Sequence, residues 1–89
     1  MNKKLIKGVS KLKTSEYRVK ILKSLSGKKY LTPSEISKET EIRLNHISNF
    51  LRDLKGNELI ICLNEKEKRG RFYSLTELGK KVIIEYESK

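Results

Sequence analysis

The chain has 89 residues, 36% of them apolar and 36% charged, a length that suits one small domain and excludes a multidomain enzyme. Its longest apolar run, Leu59 to Leu63, is five residues, far short of the roughly 18 that cross a bilayer, and the Lys-rich start lacks the apolar stretch of a secretion signal. A cytoplasmic protein without a membrane partner is therefore expected, and the single cysteine, Cys62, excludes an internal disulfide framework, a CxxC redox pair and a thiolate zinc cluster.

Twenty-one Lys and Arg against eleven Asp and Glu give a formal net charge of +10, which favours a polyanionic partner, although a Lys-rich surface also serves solubility alone. Ten of the basic residues and one acid fall in residues 1–30, so the remainder is nearly balanced. A polyanion contact must use the N-terminal segment, or local clusters in the remainder.

Residues 1–13 read as a basic N-terminal arm of helical character. At helical spacing Leu5, Ile6, Val9 and Leu12 form one stripe, and Lys4, Lys7 and Lys11 lie opposite. Gly8 weakens that helix by about 1 kcal/mol relative to Ala. Four apolar residues without an aromatic are a poor membrane anchor, so the stripe is expected to pack on the domain or on a second protomer.

Residues 14–89 read as one domain. Thr14 and Ser15 are two possible caps for a helix that runs to about Ser26, with Tyr17, Ile21, Leu22 and Leu25 on one side and Gly27 as its stop. Arg18 lies within that stripe and either snorkels or pairs with an acid such as Glu35. Tyr30-Leu31 suffices for a bridging strand. In Thr32-Pro33-Ser34-Glu35, Thr32 caps a helix, Pro33 fits its first position and Glu35 reaches back to the cap N–H. That helix is short, is broken by Thr40-Glu41, and points Ile36 inward.

A third helix begins near Arg43 to Leu44, with Leu44, Ile47, Phe50, Leu51 and Leu54 on its apolar arc. Asn45, Ser48, Asn49 and Arg52 centre the opposite arc, with His46 and Asp53 on its shoulder. Gly56 suits a left-handed cap. Leu59 to Leu63 and Arg71 to Leu75 read as two strands of a hairpin around the charged loop Asn64 to Gly70. Thr76 then caps a last helix, Glu77 to Tyr86, whose inner side is Leu78, Val82, Ile83 and Tyr86, with Ile84 pointing elsewhere.

The order of elements predicts an α+β, mostly helical chain: a three-helix core with a β-hairpin, a C-terminal helix and the basic arm. The runs Tyr17-Arg18-Val19-Lys20-Ile21-Leu22, Leu31-Thr32-Pro33-Ser34-Glu35-Ile36, Ile47-Ser48 through Leu51 to Leu54, Leu59-Ile60, and Gly70-Arg71-Phe72-Tyr73-Ser74-Leu75-Thr76-Glu77-Leu78-Gly79 carry a resemblance over residues 15 to 86. The chain resembles the winged helix-turn-helix transcription regulators. It looks most like small archaeal and bacterial members related to the multiple-antibiotic-resistance and arsenical-resistance repressors.

The resemblance implies that helix 43–55 enters the major groove of double-stranded DNA and that the hairpin, or wing, over 64–72 reaches a flanking minor groove or phosphates. Asn matches the N6 and N7 edge of adenine, Arg the O6 and N7 edge of guanine, and Ser either. Asn45, Asn49 and Arg52 are the expected base readers. Arg43, His46 and Ser48 touch bases or phosphates, and Thr32 and Ser34 offer the start of their helix to a phosphate. On the wing, Lys66, Lys68, Arg69 and Arg71 are interleaved with Glu65 and Glu67, so geometry must compensate for a small net charge: Arg69 or Arg71 enters the minor groove while the lysines meet phosphates. The plainer readings are a solvated helix face and a charged tip that protects a sheet edge.

Two departures stand out, because many relatives carry Gly where Glu41 and Glu58 stand, and a left-handed backbone at either position costs a non-Gly residue about 1 kcal/mol or more. A homodimer is expected, with Leu5, Ile6, Val9, Leu12 and Ile84 as the contact. No cofactor, metal or small-molecule effector is evident: His46 and Cys62 are the soft ligands, and neither has a partner at ligand spacing. His46 and Asp53, seven positions and about 10 Å apart along one helix, are too distant for a hydrogen-bonded catalytic pair, so no enzyme is expected. The alternatives are a winged-helix protein–protein interaction module in a larger complex and an RNA-binding winged helix. The second is disfavoured because Phe72 and Tyr73 alternate across a strand and no exposed aromatic cluster offers a stacking platform.

Overall fold

A computed structural model describes residues 2–88. Its elements run α1 (Lys3–Lys13), α2 (Glu16–Leu25), α3 (Pro33–Thr40), α4 (Leu44–Gly56), β1 (Ile60–Cys62), β2 (Tyr73–Leu75) and α5 (Glu77–Glu87). Side chains set most of the helix starts. Asn2 accepts from the Lys4 N–H at 2.8 Å, Ser15 from Arg18 at 3.3 Å and Thr76 from Gly79 at 2.9 Å, each satisfying an amide that has no partner in its own helix. At α3 the reciprocal box forms: the Thr32 hydroxyl takes the Glu35 N–H at 3.2 Å, and the Glu35 carboxylate takes the Thr32 N–H at 2.9 Å. That second bond holds the Glu35 carboxyl below its ordinary pKa. Of the two candidates before α2, Ser15 is the cap, while Thr14 closes α1 by donating to the Lys11 carbonyl at 3.0 Å.

The core is shared by every element. Leu12 of α1, Ile21, Leu22 and Leu25 of α2, Ile36 of α3, Ile47 and Leu54 of α4, Leu59 and Ile60 at β1, and Val82 of α5 are all but sealed from solvent. The segment read as a basic arm packs on α5 and α2, the first of the two placements expected for its apolar stripe. Gly8 explains the closeness: a Cβ there would lie 2.6 Å from Val82 Cγ2, so the residue that weakens the helix lets it meet its neighbour. Three of the five residues expected at a dimer contact are used internally. Val9 and Leu12 are buried and Leu5 packs half-buried against them, which leaves Ile6 and Ile84 on the surface. Burial of Val9 and Leu12 in their own chain removes the area they would have offered to a second one.

The hairpin is antiparallel, with Ile60 opposite Leu75, Ile61 opposite Ser74 and Cys62 opposite Tyr73. A further bond from Leu63 N–H to the Phe72 carbonyl, 2.8 Å, continues the pairing toward the loop. Alternation sends Ile60, Cys62, Tyr73 and Leu75 inward and leaves Ile61, Leu63 and Phe72 outside. Leu31 adds a single bridge to Tyr73 through two backbone bonds of 2.9 and 2.8 Å, which fastens the entry to α3 onto the second strand. At α5, a Cβ on Gly79 would sit 2.0 Å from the Leu59 carbonyl oxygen, so only glycine lets this helix rest on the start of β1. No helix among the described residues is long and apolar enough to cross a membrane.

Both departures from glycine fall where the backbone is left-handed: Glu41 at φ 61° and Glu58 at φ 62°. Gly56, expected as the left-handed cap of α4, is instead its last helical residue. The reversal comes at Glu58, whose N–H returns to the Lys55 carbonyl at 3.0 Å while the Leu59 N–H returns to Leu54 at 3.0 Å, the two bonds of a Schellman ending. At α3 the Glu41 N–H closes on the Ser37 carbonyl at 2.8 Å. The side chain of Glu41 is exposed and makes no ion pair among the described residues, so its strain is uncompensated. Glu41→Gly is expected to raise the unfolding free energy by about 1 kcal/mol, read as a higher urea midpoint at unchanged slope, whereas Glu41→Val is expected to lower it.

Candidate nucleic-acid interface

Helix α4 is seated by Ile47, Leu51 and Leu54, which are buried, and by half-buried Phe50. Asn45, His46, Ser48, Asn49 and Arg52 project from the opposite side and are exposed, as is Arg43 at the cap position. Leu44 departs from the apolar arc and is exposed, because it opens the helix beyond the edge of the core.

Beside α4 lies an open cleft, walled by the start of α3 and by the hairpin loop. Thr32, Ser34, Ser48, Arg52, Lys68, Arg69 and Arg71 border it, together with Leu44 and Lys55. Side chains from three stretches of sequence are thus brought to one concave surface. Arg43, Asn45, His46, Asn49 and Lys66 lie outside its wall. At the start of α3, Pro33 has no N–H, and the Glu35 and Ile36 amides are taken by the Thr32 hydroxyl and carbonyl, which leaves that of Ser34 to face outward.

The loop is braced rather than loose. The Arg71 Nε donates to the Glu67 carbonyl at 2.6 Å and its Nη2 to the Glu65 carbonyl at 3.3 Å, so this guanidinium holds the loop's own backbone while it borders the cleft. Asn64, which sequence reasoning missed, accepts the Phe72 N–H at 2.8 Å and donates to the Gly70 carbonyl at 3.1 Å. Its signal was available, since Asn at the mouth of a turn mimics backbone partners. Lys55 at the end of α4 pairs with Glu65; their contact lowers the Glu65 pKa and raises that of Lys55. Lys66, Lys68 and Arg69 have no ion pair among the described residues. On the outer side of the hairpin Tyr30 and Phe72, both exposed, meet edge to face at 4.6 Å, an aromatic pair that the sequence did not predict.

Asp53 joins α4 to α1 and α2. One carboxylate oxygen accepts from Arg18 Nε of α2 at 2.7 Å and the other from Lys11 Nζ of α1 at 3.2 Å. The Arg18 guanidinium also lies 5.6 Å from the centre of the Phe50 ring, a cation–π distance. Arg18 therefore has a partner, but it is Asp53 rather than Glu35. Burial alone would raise the Asp53 pKa, and the Arg18 and Lys11 hydrogen bonds outweigh it and bring it below the ordinary aspartate value.

Five of the seven ion pairs join a basic residue of 1–30 to an acid further along: Lys4 to Glu58, Lys11 and Arg18 to Asp53, Lys23 to Glu87 and Lys28 to Glu39. Half of the ten basic residues in 1–30 are thus matched to acids of the balanced remainder. Arg43 at the cap of α4, Arg52 on it, and Lys66, Lys68 and Arg69 of the loop are left without carboxylate partners among the described residues.

A family model described as "Bacterial regulatory protein, arsR family" matches residues 15–61, more than half of the chain. The chain belongs to this family. Its architecture is a winged helix-turn-helix, and solved structures extend the likeness beyond the arsR segment. Apo MarR from E. coli is 25% identical with a TM-score of 0.75, over 93% of this chain and 62% of that one. BpsR from Bordetella bronchiseptica, whose DNA binding is regulated by 6-hydroxynicotinic acid, is 17% identical with a TM-score of 0.74, over 92% and 59%. The chain thus spans about three fifths of the length of these proteins. No curated protein sequence matches it.

The arsR segment holds both Arg18 and Asp53, while Lys11 comes from outside it, so α1 adds a second cation to a bond internal to the family's own unit. Asp53 has a folded pKa below its unfolded one; its contribution is fully present above about pH 4 and is lost as pH falls through the folded value. Asp53→Asn is expected to cost about 1 to 2 kcal/mol at pH 7, less than a fully buried charged bond because the group is partly solvated. In urea unfolding between pH 2 and pH 7 the variant is expected to lose less stability on acidification than the parent chain.

Proposed function

We propose that this chain is a DNA-binding transcription regulator that inserts α4 into the major groove and sets the wing, residues 64–72, against a flanking minor groove or its phosphates. The observation that carries this reading is the surface around the cleft: the Thr32, Ser34 and Ser48 hydroxyls border one concavity with Arg52, Lys68 and Arg69, cations that have no ion pair among the described residues, and the Asn45 and Asn49 amides are exposed on the same helix as Arg52. Asn45, Asn49 and Arg52 read base edges, and Arg43, His46 and Ser48 touch bases or phosphates. Thr32 and Ser34 position a phosphate at the start of α3. Lys66, Lys68 and Arg69 supply the wing's charge. Arg71 acts through them, by holding the loop in shape.

The regulator acts as a homodimer in this reading. Ile6 and Ile84, exposed on the mutually packed helices α1 and α5, are the residues of the expected contact still available to a second copy. Two-fold protomers would read half-sites about one DNA turn apart. A second reading, the protein–protein interaction module, is favoured by the outer hairpin face, where Tyr30, Ile61, Leu63 and Phe72 are all exposed.

Titration of duplex DNA at several salt concentrations separates the two. Phosphate contact predicts a linear fall of log K with log salt, with a slope near −0.9 per phosphate neutralised, and a flat response favours the module. With a selected site, Arg52→Ala and Asn49→Ala are expected to narrow the gap between specific and random DNA by about 1 to 3 kcal/mol each, while Lys68→Ala weakens both alike. Equal losses on both DNAs for all three would remove the assignment of readers.

A further inference from the structure

Leu44 belongs by spacing to the apolar arc of α4, yet it is 48% exposed while Ile47, Leu51 and Leu54 of the same arc are buried. It is the first residue of the helix. Ser48 and Arg52, one and two turns further along the same face, border the cleft with it, and the flanking Asn45 and Asn49 are polar and exposed. A lone exposed leucine is ordinary on a protein surface. This one stands at the leading end of the helix with amides and a guanidinium around it, where it seals no part of the core.

Its chemistry narrows what it can recognise. A leucine side chain has no donor or acceptor, so it gains nothing from a phosphate or from the polar edge of guanine, adenine or cytosine. The major groove offers one apolar group, the C5 methyl of thymine. Residues at the start of a recognition helix are also the ones that approach base edges. Building on the DNA-binding reading above, we propose that Leu44 is a specificity-determining residue that packs on a thymine methyl in the major groove, beside the base edges met by Arg52 and its neighbouring amides.

Replacing thymine by deoxyuridine deletes that methyl and preserves pairing. Selection from random duplexes would first supply the preferred site, and its thymines would then be changed to deoxyuridine one at a time. For the parent chain one such change is expected to weaken binding about fourfold, the worth of a single buried carbon. Leu44→Ala is expected to bind the thymine and deoxyuridine versions equally at that position, and Leu44→Met to restore a preference for thymine.

Thermal unfolding of Leu44→Ala serves as the folding control, and Lys68→Ala, expected to keep the thymine preference, as the control for general weakening. The inference is overturned if the selected site carries no thymine, if the parent is indifferent to every methyl, or if Leu44→Ala keeps the parent's preference. Selection that yields no preferred duplex overturns the DNA-reading assignment itself, and this inference with it.

Discussion

A single carboxylate joins three helices beneath the candidate surface. Asp53 sits on α4, and its two oxygens are held by Arg18 of α2 and Lys11 of α1. Burial of Ile47, Leu51 and Leu54 sets which side of α4 faces the core, by an attraction that has no direction of its own. A charged hydrogen bond at 2.7 Å does have one. With the Lys11 contact, it ties α4 to α1 and α2 at the shoulder between the buried arc and the polar arc.

The same bond belongs to a wider division of charge. A sequence with its positive excess at one end and a balanced remainder folds so that the two halves partly cancel, and the cancellation is local. Acids at 39, 53, 58 and 87 go to the N-terminal lysines and to Arg18, and the cations near the cleft are left over. Net charge sets the strength of long-range attraction to a polyanion; internal pairing redistributes that charge over the surface. The lysines of α1 therefore contribute to the electrostatics of α4 by withdrawing carboxylates from the rest of the chain, whether or not they touch a partner.

Much of the fold was legible in the sequence, for reasons that differ from element to element. The capping box at Thr32 and Glu35 is a local pattern whose partners are three residues apart, so its geometry could be read directly. The left-handed residues Glu41 and Glu58 could be anticipated only through the resemblance, since glutamate carries no sign of positive φ. The partner of Arg18 was out of reach because it lies thirty-five positions away and depends on how α2 crosses α4. Gly8 read as a weak point in a helix, and its role as a spacer against Val82 required both helices at once. In the candidate site the polar arc of α4 was legible from period alone. The bracing role of Arg71 was not legible, because composition counts a guanidinium without showing that two carbonyls hold it.

The bridge between Leu31 and Tyr73 ties the residue just before α3 to the strand that returns from the wing. With Lys55 and Glu65 joining the far end of α4 to the loop, each wall of the cleft is fastened to a neighbour at its base. A change at β2 would therefore be felt at the entry to α3 as well as in the hairpin, although the two lie far apart along the chain.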